Sequence, residues 1–133
     1  MVKKLFKELA FKWLKAAKHD LDWAQGSMKL KKFAGVCFLS QQVVEKSLKA
    51  FLYFHGNELK RIHDLDKLLK IAIKYAADLE KYKRATATLS GYYLRTRYPD
   101  IGDIEIFNKR NLAEEALKWA KEIFLIIEKK IGD

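Results

Sequence analysis

The stretch FAGVCFLSQQVVEKSLKAFLYF, Phe33–Phe54, decides the fold. Cys37, Val44, Leu48 and Phe51 recur at helical spacing and form one apolar stripe. Gln41 falls on that stripe between Cys37 and Val44, and Glu45 lies one turn further on, flanked by Phe38 and Leu48. The run ends at His55-Gly56-Asn57, a glycine stop. A polar group on an apolar stripe needs a partner, because leaving it buried and unpaired costs roughly 1–3 kcal/mol.

The same periodicity extends on both sides. A first helix is expected from about Leu5 to Met28, with Leu9, Trp13, Ala16, Ala17, Trp23 and Ala24 as its apolar stripe and Asp20 on or beside that face. A third helix starts after Asp64, a suitable N-cap. A fourth starts at Asp78, carries Leu79, Tyr82, Thr86, Leu89 and Tyr93, and stops before Pro99. Ile101–Phe107 reads as a connector. The last helix opens near Asn108–Asn111, where Asn111 and Glu114 resemble a capping box, and buries Leu112, Ala116, Trp119, Ala120, Ile123 and Ile127. Long amphipathic helices with short links predict an all-α, antiparallel up-and-down bundle of four to five helices, one domain over residues 1–133.

Composition narrows the function. The net charge is +10, and residues 1–50 carry 11 lysines against four acids. Such an excess attracts polyanions, although a solvated lysine-rich surface accounts for it equally well. No apolar run reaches the roughly 20 residues of a membrane span, and the basic start has no signal core, so a cytoplasmic protein is expected. Cys37 is the only cysteine and reads as a buried, inert thiol. His19, His55 and His63 lie in different elements without metal-site spacing, so no metal is expected. Glycine-rich phosphate loops and serine nucleophile elbows are absent from the sequence.

The candidate ligand-binding residues are Asp20, Gln41, Glu45, Arg95, Arg97, Tyr98 and Asp100; no catalytic residue is assigned. Arginine presents a rigid fork that suits phosphate or carboxylate, and two such forks stand beside aromatic rings at a helix stop. In an antiparallel bundle Glu45 can approach Arg95, either as a buried ion pair that sets helix register or as part of a polar pocket. Asp20 is a candidate to orient one of the arginines. Tyr98-Pro99-Asp100 reads as a turn.

Trp13, Asp20-Leu21, Gln41-Gln42-Val43-Val44-Glu45-Lys46-Ser47-Leu48-Lys49-Ala50, His63-Asp64-Leu65 and Arg95-Thr96-Arg97-Tyr98-Pro99-Asp100 follow one another in an order that resembles the HEPN domain (higher eukaryotes and prokaryotes nucleotide-binding). The resemblance runs from about Leu5 to Ile131. It implies a helical bundle, homodimerisation, nucleotide or RNA binding, and a minimal nucleotidyltransferase partner in a toxin–antitoxin-like module. It implies no cofactor. Many members of the family are metal-independent RNases that use an Arg-x4-6-His motif. Here no histidine follows Arg95 or Arg97, and Arg61 precedes His63 by too little, so binding is expected over cleavage. Two alternatives stay open. One is an RNase with a non-standard site built on His63 or on Tyr98 and Asp100; the other is an interaction module.

Overall fold

Helix α1 (Lys4–Lys29) and helix α2 (Phe33–Phe54) run antiparallel, joined by the turn at residues 30–32. The structure, a computed structural model, describes residues 2–59, 62–96, 98–100 and 104–132. At the turn, the Lys31 N–H donates to the Met28 carbonyl (3.0 Å) and the Lys32 N–H to the Ser27 carbonyl (2.9 Å), a Schellman-type closure. It requires a left-handed residue, and Lys31 supplies it with φ 60° where glycine is the usual occupant.

The face of α1 against the core is Ala10, Leu14, Ala17, Leu21 and Ala24, with Asp20 buried among them. The alanines at seven-residue intervals let the α2 backbone come close. The expected stripe is therefore displaced: Leu9, Trp13 and Ala16 are only half-buried, and Trp23 is 60% exposed. α2 is buried on nearly every side, its apolar residues spread around the helix and several polar ones, Gln41, Glu45 and Lys49 among them, buried with them. It packs against α1, α3 (Leu65–Ile73), α4 (Lys83–Ser90), α5 (Tyr92–Arg95) and α6 (Arg110–Ile131). It is the axis of an all-helical antiparallel bundle.

Asp64 caps α3 as expected, accepting from the Asp66 and Lys67 N–H groups at 2.9 and 3.4 Å. The predicted fourth helix is divided. It opens as 3-10 turns over Ala77–Tyr82, continues as α4, and is interrupted at Gly91 before the single turn of α5. Residues 104–107 of the expected connector form a 3-10 turn, not an extended strand. That turn buries Phe107 edge-on against Tyr92, ring centroids 5.5 Å apart. The Asn111–Glu114 capping box does not form, because α6 begins before Asn111, at Arg110, with Lys109 as its N-cap and no side-chain cap. Asn108 instead serves α2, its Oδ1 accepting from the Ala34 N–H at 3.3 Å. α6 buries Ala113, Ala116, Ala120, Ile123, Phe124, Ile127 and Ile131, leaving the predicted Leu112 and Trp119 half-buried. Among the described residues no helix is long and apolar enough to cross a membrane.

At the far end of α2, His55 stacks on Tyr75 (4.3 Å between centroids) and meets the edge of Phe51. Burial in this aromatic nest pushes its pKa below the ordinary 6.5.

Two stability experiments follow from these contacts. Lys31→Gly removes the side chain from a left-handed position and is expected to raise stability by about 1 kcal/mol in urea melts, where an unchanged or lower midpoint would contradict it. For His55, a depressed folded-state pKa means that the unfolded chain takes the proton first. Its contribution is complete above about pH 6.5 and is lost as pH falls through the depressed value. The melting temperature should fall from pH 7 to pH 5, and His55→Phe should shrink that fall; an identical pH profile in the variant would exclude this role.

Candidate functional site

Two turns of α2 carry the polar centre of the molecule. Glu45 and Lys49 are one helical turn apart and both buried, at 7% and 4% exposure. Lys49 Nζ lies 2.9 Å from Glu45 Oε2. The same ammonium sits over the Trp13 ring of α1, 5.1 Å from its centroid. Gln41 Nε2 donates to Glu45 Oε1 at 3.2 Å, and Gln42 Nε2 donates to Gln41 Oε1 at 2.6 Å. Gln41, Glu45 and Lys49 thus have the partners that their burial requires, whereas the buried Ser40 and Ser47 hydroxyls of the same helix have none among the described residues.

His63, just ahead of α3, closes the cluster. Its Nδ1 lies 3.1 Å from Glu45 Oε2 and 3.3 Å from Lys49 Nζ. An ammonium only donates, so Nδ1 either accepts from Lys49 or carries a proton and donates to Glu45. The second tautomer leaves Nε2 as an acceptor on an imidazole that is 70% exposed.

Next to this cluster lies a cleft of about 430 Å³, lined by Gln41 and Glu45 of α2, His63, Asp64 and Asp66, Ser90 of α4, and Tyr93 and Leu94 of α5. Its volume falls in the small-molecule range. Several of its polar groups are already engaged: Asp66 Oδ1 accepts from Thr86 Oγ1 (2.7 Å), and Ser90 Oγ donates to the Thr86 carbonyl (2.7 Å). Tyr93 leans on Phe38, ring centroids 6.0 Å apart.

Of the residues singled out from sequence, Gln41 and Glu45 line this cleft. Arg95 ends α5 and is exposed; no ion pair holds it among the described residues, and Glu45 pairs with Lys49 rather than with Arg95. Asp20 orients no described arginine: its Oδ2 is 2.6 Å from Lys46 Nζ, tying α1 to α2. Tyr98 and Asp100 are exposed, and the Tyr98 N–H donates to the Leu94 carbonyl at 2.9 Å. Arg97 lies outside the described residues. Sequence reasoning missed Lys49, although its i+4 spacing from Glu45 was a visible signal. It also missed Asp66, Ser90 and Leu94, whose place in the cleft depends on how α3, α4 and α5 dock. Burial pushes the Cys37 thiol up to about 12, so it is no thiolate nucleophile. No metal-binding cluster of His, Cys, Asp and Glu occurs among the described residues.

Comparison with known proteins fits this architecture. Residues 10–130 match the HEPN domain. The chain is 35% identical to TT1696 from Thermus thermophilus, whose crystal structure superposes with a TM-score of 0.77 over 91% of this chain and 97% of that one. It is 30% identical to ST0689, described as an archaeal HEPN homologue, with a TM-score of 0.74 over 92% and 97%. No curated protein matches. With the family match spanning nearly its whole length and the bundle shared with both crystal structures, the chain belongs to the HEPN domain family.

Proposed function

We propose that this HEPN protein binds a nucleotide, free or within an RNA strand, with the nucleoside in the α2–α3–α5 cleft and the phosphates at its rim. The observation that carries the reading is the asymmetry of the lining. Glu45, Asp64 and Asp66 put three carboxyl groups on the cleft and would repel a phosphate there. Hydroxyls and base amino groups suit such acceptors. Tyr93 and Leu94 offer an aromatic ring and an apolar edge to a base, and Gln41 offers an amide. Outside the carboxylates, Arg95 is exposed and carries no ion pair among the described residues, and it is the natural phosphate contact. Tyr98 and Asp100 complete the proposed rim, with Tyr98 as a stacking surface; Asp20 acts through Lys46 and the α1–α2 contact.

A second reading is a protein partner, such as a minimal nucleotidyltransferase in a toxin–antitoxin-like pair. It is favoured by the exposed Tyr93, Leu94 and Tyr98 beside an acidic cleft that would accept a cationic side chain. Homodimerisation belongs to the same proposal, since Phe11, Trp23 and Leu125 are exposed as well. Cleavage is the weaker reading: a non-standard RNase would have to work through His63, or through Tyr98 and Asp100, without the family's Arg-x4-6-His motif.

Calorimetric titration of adenosine, AMP and a short RNA separates these possibilities. Tyr93→Ala is expected to weaken all three ligands by about tenfold through lost stacking. Arg95→Ala should weaken AMP and RNA by roughly fivefold and leave adenosine unchanged. Absence of binding at millimolar ligand, or equal affinity in wild type and Tyr93→Ala, would reject the nucleoside cleft; co-elution with a nucleotidyltransferase in that case would favour the partner reading.

A further inference from the structure

A different part of the molecule carries its own signal. Where α1 ends and α6 begins, a groove of about 620 Å³ is lined by Gln25, Met28, Lys29, Lys31, Arg110 and Leu117. Met28 and Leu117 form its apolar part, and every charged residue lining it is a cation. The cleft described above carries three carboxylates; this groove has none. No ion pair holds Lys29, Lys31 or Arg110 among the described residues, whereas Lys46 and Lys49 are both neutralised by acids. The Arg110 guanidinium lies over the Phe33 ring, 4.9 Å from its centroid, which limits its motion without occupying its N–H donors.

Two further observations point the same way. α2 and α6 both begin at this end, each after a lysine N-cap, Lys32 and Lys109, that makes no side-chain cap bond and is followed by no acid in the first turn; the neutral Asn108 amide serves the first turn of α2 instead. Helix N-termini carry positive partial charge, so cations there raise the local potential where acids would normally lower it. Lys31 also holds a left-handed conformation that glycine would adopt without strain. Both arrangements are unfavourable for the isolated fold, and both concentrate positive charge on one groove.

We propose that this groove is a second, phosphodiester-binding site, which holds the backbone of a nucleic-acid strand through Lys29, Lys31 and Arg110. It is independent of the nucleoside cleft. Contact is to phosphate alone, so binding is insensitive to base sequence and steeply dependent on salt.

The test is fluorescence anisotropy of a labelled 20-nucleotide RNA at 50 and 200 mM NaCl. The variant Lys29→Gln/Lys31→Gln/Arg110→Gln should bind at least about tenfold more weakly at the lower salt and flatten the log–log salt slope by about 2 to 3. A control with equal charge loss elsewhere, Lys12→Gln/Lys15→Gln/Lys74→Gln, should change affinity by less than about threefold. Lys31→Gly should weaken RNA binding while raising the melting temperature, so its loss of binding cannot come from unfolding. Tyr93→Ala should leave the salt slope intact, which separates this groove from the nucleoside cleft. Equal losses in the groove and control triples would overturn the proposal. So would no RNA binding at 50 mM NaCl, or groove-dependent binding to phosphatidylglycerol vesicles with none to RNA.

Discussion

Lys49 is a lysine with almost no exposure, and three segments distant in sequence converge on its ammonium: Trp13 from α1, Glu45 from its own helix, and His63 from the approach to α3. Desolvating a charge costs several kcal/mol, and the attraction of a partner offsets that only with good geometry and further hydrogen bonds. Here the further bonds exist, from Gln41 and His63. The consequence is directional. The alanine line of α1 already favours one placement on α2, and a slide by a turn would also strip Lys49 of Trp13 and separate Asp20 from Lys46. The two lysine contacts therefore set the register of the hairpin, and His63 fixes where α3 starts. The cleft is the space left once that register is set.

This arrangement also explains a contrast in charge. The chain carries +10, yet its cleft presents Glu45, Asp64 and Asp66. One of these is committed to Lys49, one caps α3, and one receives Thr86. They are there first for the fold, and they determine secondarily what the cleft can accept. On the proposed reading phosphates go to exposed cations, at Arg95 on the rim and in the basic groove at the start of α6. A long polyanion could be held by surfaces that a small nucleoside never touches.

The fold was largely legible in the sequence, because helical periodicity in Phe33–Phe54 survives any error of detail. Asp64 was legible as a cap for the same local reason. What failed was non-local. Trp23 falls on the expected stripe but is 60% exposed, since alanines, not tryptophans, form the close-packed line. Asn108 was available as a cap, and only the docking of the last connector against Ala34 decides which helix it serves. The polar stripe of Gln41 and Glu45 is legible in the sequence, but the partner of Glu45 is Lys49, one turn away, and not Arg95 across the bundle. The family resemblance rested on linear motifs and was therefore accessible before any packing was known. The basic groove was not, because its residues come from positions 25 to 31 and 110 to 117.

The central claim, that the buried Glu45–Lys49 pair organises the bundle, is tested most directly by a double-mutant cycle in urea denaturation. Glu45→Gln and Lys49→Met should each cost about 3 kcal/mol, because each strands a buried charge. The combined variant should cost well under the sum, leaving a coupling energy of roughly 2 kcal/mol or more. Single variants within about 0.5 kcal/mol of wild type, or strictly additive losses, would contradict it.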